Sequence, residues 1–264
     1  VQVFAVRVDD TLALCLKSDS FVVMPTEGEE PMSEEKSLLR WGGLAGMLAG
    51  IVFILVPVTL FGFVPPAPAD PAGFVMRFPD VRAAIAVGNG LDFLVNILWV
   101  ALILALYRVL RGTSLAAALF GSVLFVLGLG VLFVESSTQV AFDPISKLYH
   151  APGATPVEQA TLALVWQATQ GMFNQFDTAA TLLLSAGIIV LGVAMFRAPA
   201  FGKGFGGLSV VLGATVVAIS FFGVTSILSA LLVLPIFVIF PILLGWKVYS
   251  LSRSPRSLAA THEN

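Results

Sequence analysis

GFGGLSVVLGATVVAISFFGVTSILSALLVLPIFVIFPILLGW, Gly204–Trp246, runs 43 residues without a charged side chain. As a helix it would measure roughly 65 Å, about twice a hydrocarbon core of ~30 Å. It must therefore cross a membrane, turn and cross back. Phe222-Gly223-Val224-Thr225-Ser226, near its midpoint, supplies a glycine for the turn. Four more apolar stretches precede it, Trp41–Phe63, Phe93–Tyr107, Ser114–Val134 and Thr178–Phe196. The chain thus reads as an all-α membrane protein, a bundle of six transmembrane helices.

Composition points the same way. Of 264 residues, 58% are hydrophobic and 11% charged, which leaves too little polar surface to cover soluble domains. Backbone groups in hydrocarbon must satisfy one another within the segment, so the spans are helices. The apolar/polar alternation of a membrane barrel is absent.

Lys and Arg set the direction. Lys36/Arg40, Arg108/Arg111, Arg197/Lys203 and Lys247/Arg253/Arg256 flank every second gap, while Arg77, Arg82 and Lys147 fall in the intervening ones. Cytoplasmic loops retain basic residues, so both termini are expected in the cytoplasm. Trp41, Tyr107, Trp246 and Tyr249 then fall at the inner boundary, and Tyr149 and Trp166 on the outer side, as aromatic anchors.

Three regions follow: an acidic tail over 1–36, the membrane domain over 37–250, and a short cytoplasmic tail over 251–264. The first 35 residues carry Asp9, Asp10, Asp19, Glu27, Glu29, Glu30, Glu34 and Glu35 against Arg7 and Lys17. Either this is a disordered acidic tail, or the native chain starts at Met32; the second is favoured. The first span could be a signal peptide, but 23 uncharged residues exceed a signal core of about 7–15. It is read as retained.

Pro65, Pro66, Pro68, Pro71 and Pro79 predict a stiff extended outer connector, with the second span starting near Arg82. A very short link then makes the second and third spans an antiparallel hairpin. Thr155-Pro156-Val157-Glu158 reads as N-cap, Pro at N1 and the Glu of a capping box. The helix it opens must project beyond the outer face or break near Gly171, because about 41 residues would measure roughly 60 Å. The third span can continue past Glu135 until Asp143-Pro144, giving an outer cap from the ends of the third and fourth spans. Pro235 and Pro241 should disturb the last span.

The residues with chemical potential lie on the second and fourth spans. Asn89, Asp92 and Asn96 fall within about 60° of arc. Gln167, Gln170, Asn174, Asp177, Thr178, Thr181 and Ser185 fall within about 100°. A carboxylate facing lipid costs roughly 2.5–3.5 kcal/mol, so both stripes should face protein or water. Asp92 lies about 24 Å from Arg108 along its helix and Asp177 about 30 Å from Arg197, so both belong to the outer half, Asp92 the deeper. Glu135 and Gln139 can join them. The set predicts a polar pocket open to the outside with Asp92 as a cation or proton site. The alternative is that these groups only join helices around an inert cleft.

Gly42, Gly46 and Gly50 form two GxxxG steps, whose default role is close packing against another helix or another subunit. Gly202-Lys203-Gly204-Phe205-Gly206-Gly207 resembles a dinucleotide fingerprint as text but follows a membrane helix, so it reads as a flexible inner turn. Cys15 is the only cysteine, and His150 and His262 the only histidines. Neither supports a metal site, and no Gly-x-Ser-x-Gly elbow occurs. No cofactor is implied, and basic residues are not interleaved with aromatics as nucleic-acid binding requires. The partners implied are the lipid bilayer and, through the first span, a second copy or another membrane protein.

At Ser37-Leu-Leu-Arg-Trp-Gly-Gly-Leu-Ala-Gly46 and Leu106-Tyr107-Arg108 the chain resembles uncharacterised prokaryotic six-helix membrane families, domains of unknown function. The resemblance implies a bacterial or archaeal plasma-membrane protein and brings no catalytic residues. Three functions compete: a structural, regulatory or partner-binding protein; a small-solute or ion transporter built on Asp92; and, last, an enzyme.

Overall fold

The computed structural model describes residues 30–64, 70–222 and 234–253, and every regular element among them is helical. In order these are α1 (Glu30–Phe63), α2 (Pro71–Leu110), α3 (Leu115–Thr138), a 3-10 turn (Gln139–Ala141) and α4 (Phe142–Tyr149). Then come α5 (Pro156–Arg197), α6 (Gly202–Phe222), a π-helical turn (Leu234–Ile239) and α7 (Phe240–Ser252). Five stretches are long and apolar enough to cross a membrane: Glu34–Leu60, Ala72–Leu110, Leu115–Tyr149, Pro156–Arg197 and Gly202–Phe221. Ile236–Ser252 is a shorter apolar helix. By these lengths and compositions the chain is a multi-pass membrane protein, all-helical among the described residues.

Two compact units are present, Val1–Glu34 and Glu35–Asn264. Of the first, only the opening residues of α1 are described; the second is the bundle. Most of the acidic tail, Cys15, Pro65, Pro66, Pro68, most of the Phe222–Ser226 turn, Arg256 and His262 lie outside the described residues.

Several boundaries differ from the sequence reading. The tail was expected to run to residue 36, yet α1 is helical from Glu30. Glu35 pairs with Arg108 at 3.1 Å. The second span starts not near Arg82 but at Pro71, with Asp70 as N-cap accepting from the Ala72 amide at 3.1 Å. Pro71 and Pro79 are therefore helical rather than connector. Pro79 deprives the Val75 carbonyl of its usual donor, and the packing of Phe78 and Val75 offsets that loss. Helix also continues through Asp143-Pro144, because Pro144 occupies the first turn of α4, where its missing N–H costs nothing.

The glycine run at Gly202–Gly207 is not a flexible turn either. Gly202 takes φ +69° just after α5, and helix α6 follows at once. Its glycines let α6 dock on α5: a Cβ on Gly206 would lie 2.8 Å from both the Gly192 carbonyl oxygen and the Phe196 nitrogen. The same device joins α3 to α5. A Cβ on Gly187 would lie 2.8 Å from the Phe125 nitrogen and 2.9 Å from the Gly121 carbonyl oxygen. It joins α1 to α7 as well, where a Cβ on Gly43 would lie 2.5 Å from the Tyr249 nitrogen. Backbone thus meets backbone, the close approach that small residues permit between membrane helices.

Gly42 and Gly46 sit against Ala105, Ala101 and Leu102 of α2, and Gly50 against Ile242 of α7 and the Val238 carbonyl. The GxxxG stripe is therefore occupied within the chain. Leu39, Leu102, Ile103, Leu106, Leu191, Met195 and Leu244 form the core, while Leu48, Ile51, Leu55, Phe120 and Val211 point outward. Such an apolar exterior is what lipid covers. The Gly43–Tyr249, Gly42–Ala105 and Gly192–Gly206 contacts put the basic helix ends at one end of the bundle.

At the other end α2 and α5 run on, at 40 and 42 residues, well past a hydrocarbon thickness. Each measures roughly 60 Å. Thr155 caps α5 through a complete capping box with Glu158, and Gly171 does not interrupt the helix. The extensions hold α4 between them as a cap. Trp166 stacks on Phe142 at 4.1 Å and meets Phe78 edge-on at 5.1 Å, with Val75, Ile145 and Tyr149 buried around them. Trp166 and Tyr149 are 3% and 8% exposed, so they are core residues of the cap and not interfacial anchors. Trp41, 68% exposed, keeps the geometry of an anchor.

Candidate functional site

Counted from the basic end, Asn89, Glu135 and Asp177 each lie about 30 Å along their own helices. The fold brings these levels together. The Asn89 side-chain amide donates to the Gln139 side-chain carbonyl, tying α2 to the turn after α3. Glu135 is 7% exposed, Asn89 and Gln139 are half-buried, and Asp177 is exposed on α5. Asp92, one turn deeper than Asn89, lies within electrostatic reach of Asp177, and Glu135 within reach of both. Three carboxylates from three helices thus lie near enough to feel one another's charge. Among the described residues no ion pair joins any of them to a cation, and no group of three or more acidic, His or Cys side chains converges to hold a metal.

A cavity of about 60 Å³ occupies the centre of the bundle. Every apolar helix contributes to its wall: Phe53 of α1, Trp99 of α2, Phe125 of α3, Ile188 of α5, Gly213 of α6 and Phe237 of the π turn. Its polar groups cluster toward the cap, Asp92 and Asn96 from α2 with Thr181 and Ser185 from α5. Asn96, 3% exposed, donates its amide to Asp92 Oδ2 at 3.1 Å, fixing one carboxylate oxygen and leaving the other for the cavity. Ser185 Oγ donates to the Thr181 carbonyl at 2.6 Å, so its lone pairs stay available. At ~10–15 Å³ per water, the space accepts about four to six water-sized groups.

The wall has two irregular backbone segments. Pro57 sits inside α1 one turn after Phe53 and leaves that carbonyl without its helical donor. The last span is π-helical over Leu234–Ile239, a segment that contains Pro235 and ends two residues before Pro241, where disturbance was expected. Phe53 and Phe237 stack across this junction at 5.0 Å. Irregular backbone at membrane depth is tolerated where it lines a cavity, and π turns recur at functional sites.

The expected pocket therefore divides. Asp92 and Asn96 line the cavity, while Asn89, Glu135 and Asp177 lie nearer the cap and are not among its lining residues. Gln167, Gln170 and Asn174 do not join: Gln167 and Asn174 are exposed, and Gln170 Nε2 donates to Asn174 Oδ1 at 3.1 Å along the outer stretch of α5. They lie beyond about 30 Å from Arg197, where water satisfies them. Phe53, Trp99, Phe125 and Phe237 went unnoticed because spans apolar all round give no sign of which face meets lipid and which a cavity. Ser122, buried on α3 with an unpaired hydroxyl, is not among the cavity-lining residues. No family model, curated protein or solved structure matches the chain.

Proposed function

We propose that this chain is a six-span protein of a bacterial or archaeal plasma membrane, with both termini cytoplasmic, that admits a small cationic solute or proton from the outside into its central cavity. The observation carrying this reading is Asp92: an ionisable group on a cavity wall to which all six apolar helices contribute. The neighbouring carboxylates of Glu135 and Asp177 support it by concentrating cations near Asp92. The Pro57 and π-helical segments support it as the deformable parts of the wall, where carrier helices are commonly interrupted.

Reconstituted vesicles subjected to steps of external cation or pH should show a saturable charge movement that disappears in Asp92→Asn. Equal currents in the variant and the parent would remove the basis of the reading. Orientation is tested separately by reporter fusions after Arg111 and after Lys147, the first expected in the cytoplasm and the second outside.

The cap favours a second reading, as a regulatory or partner-binding membrane protein, since it extends the helices well beyond a bilayer. Self-association through α1 would use the face opposite its glycines, where Leu48, Ile51 and Leu55 are exposed. Crosslinking from that face that captures neither a second copy nor another protein would dismiss it.

A further inference from the structure

We infer that the cavity's occupant is a small organic ammonium of about three to six heavy atoms, held between Asp92 and aromatic rings. The inference rests on the reading of Asp92 as a cation site and adds the chemical class.

Size sets the first limit: room for about four to six water-sized groups excludes solutes of drug size, which need roughly 300 Å³ or more. Chemistry sets the second. A hard metal cation must exchange its hydration shell for several oxygens, six to eight in the case of calcium. The cavity offers Asp92, Asn96, Thr181 and Ser185, all toward one end, and its remaining wall is apolar. An alkylammonium needs far less. Its N–H groups can meet the free Asp92 oxygen and the Ser185 hydroxyl while its carbon end lies among apolar side chains.

The aromatic wall supplies the rest. Trp99 and Phe125 stack at 5.1 Å, and Phe53 and Phe237 at 5.0 Å, two ring pairs from four elements around one small space. Such rings give an alkyl group extensive dispersion contact, and a weakly hydrated organic cation surrenders less on entry than a strongly hydrated ion. The Asn96 amide, one turn deeper on α2, fixes the Asp92 carboxylate at the polar end of the cavity, so the ammonium stays at that end and its alkyl group lies toward the Trp99–Phe125 pair.

The test is calorimetric titration of the full-length protein in detergent at constant ionic strength, with ethylammonium, potassium, tetraethylammonium and ethanol as probes. Ethanol matches ethylammonium in heavy atoms without the charge. Ethylammonium should bind saturably, at least about tenfold tighter than potassium, with no binding of ethanol or tetraethylammonium. Asp92→Asn should weaken it about tenfold or more, and Phe237→Leu, which removes aromatic contact with the alkyl group, roughly three- to tenfold without altering the potassium response. If potassium competes equally at Asp92, the organic-ammonium inference fails while the cation site stands. Equal binding of ethanol, or no saturable binding of any cation, overturns both. Tetraethylammonium binding as tight as ethylammonium overturns the size limit. Should Asp92→Asn not fold, the selectivity series on the parent protein decides alone.

Discussion

Adding one methyl group to Gly121 tests the dovetail between α3 and α5. A Cβ there would lie 2.9 Å from the Leu191 nitrogen, 2.8 Å from Leu191 Cγ and 3.1 Å from the Gly187 carbonyl oxygen. Two of those atoms belong to the backbone, so rotating a side chain cannot relieve the clash and the helices must part by several tenths of an ångström. Overpacking of this kind costs about 1–3 kcal/mol. Alanine returns about 0.5–1 kcal/mol in helix propensity, leaving a net loss of roughly 0.5–2 kcal/mol. Gly130 is the internal control, on the same helix with nothing within 4 Å of its Cβ. Gly130→Ala should gain about 0.5–1 kcal/mol. Thermal unfolding in detergent, followed by circular dichroism, separates the two. A Gly121→Ala protein as stable as Gly130→Ala would refute the reasoning. Because Gly121 and Gly187 share one contact, the double alanine variant should lose less than the sum of the singles.

The cap offers three further outcomes. Trp166→Ala removes the centre of its aromatic cluster and should cost about 3–5 kcal/mol of local stability. Proteolysis at residues 150–155 should accelerate while the lower bundle stays protected. Thr155→Ala breaks the capping box and should cost about 0.5–2 kcal/mol, read as faster amide exchange in the first turn of α5. Arg82→Gln removes a 3.0 Å contact to Asp143, with Arg82 55% exposed and Lys147 still paired to the same carboxylate. It should leave the unfolding temperature almost unchanged, with any small shift disappearing in high salt.

Much of the architecture was legible from residues with a local mechanism. Thr155-Pro156-Val157-Glu158 announced α5 because capping depends on four neighbouring residues. Asp70-Pro71 carries the same N-cap and proline signature for α2, yet the surrounding prolines disguised it as a connector. The Gly202–Gly207 run misled for a related reason. Glycine permits both turns and close helix packing, and only the partner, here Gly192 with Phe196, decides which. Asp92 stood out because a charge in an apolar span is rare. The aromatic wall did not, since Trp99 and Phe125 read as ordinary membrane residues until the helices around them are placed.

The unbroken lengths of α2 and α5 make them levers. Both hold the cap at one end, both supply polar groups to the cavity partway along, and both end among the basic residues. A rod of about 60 Å that tilts by about 5° moves its tip by about 5 Å. Anything that grips the cap therefore holds the cavity's walls as well.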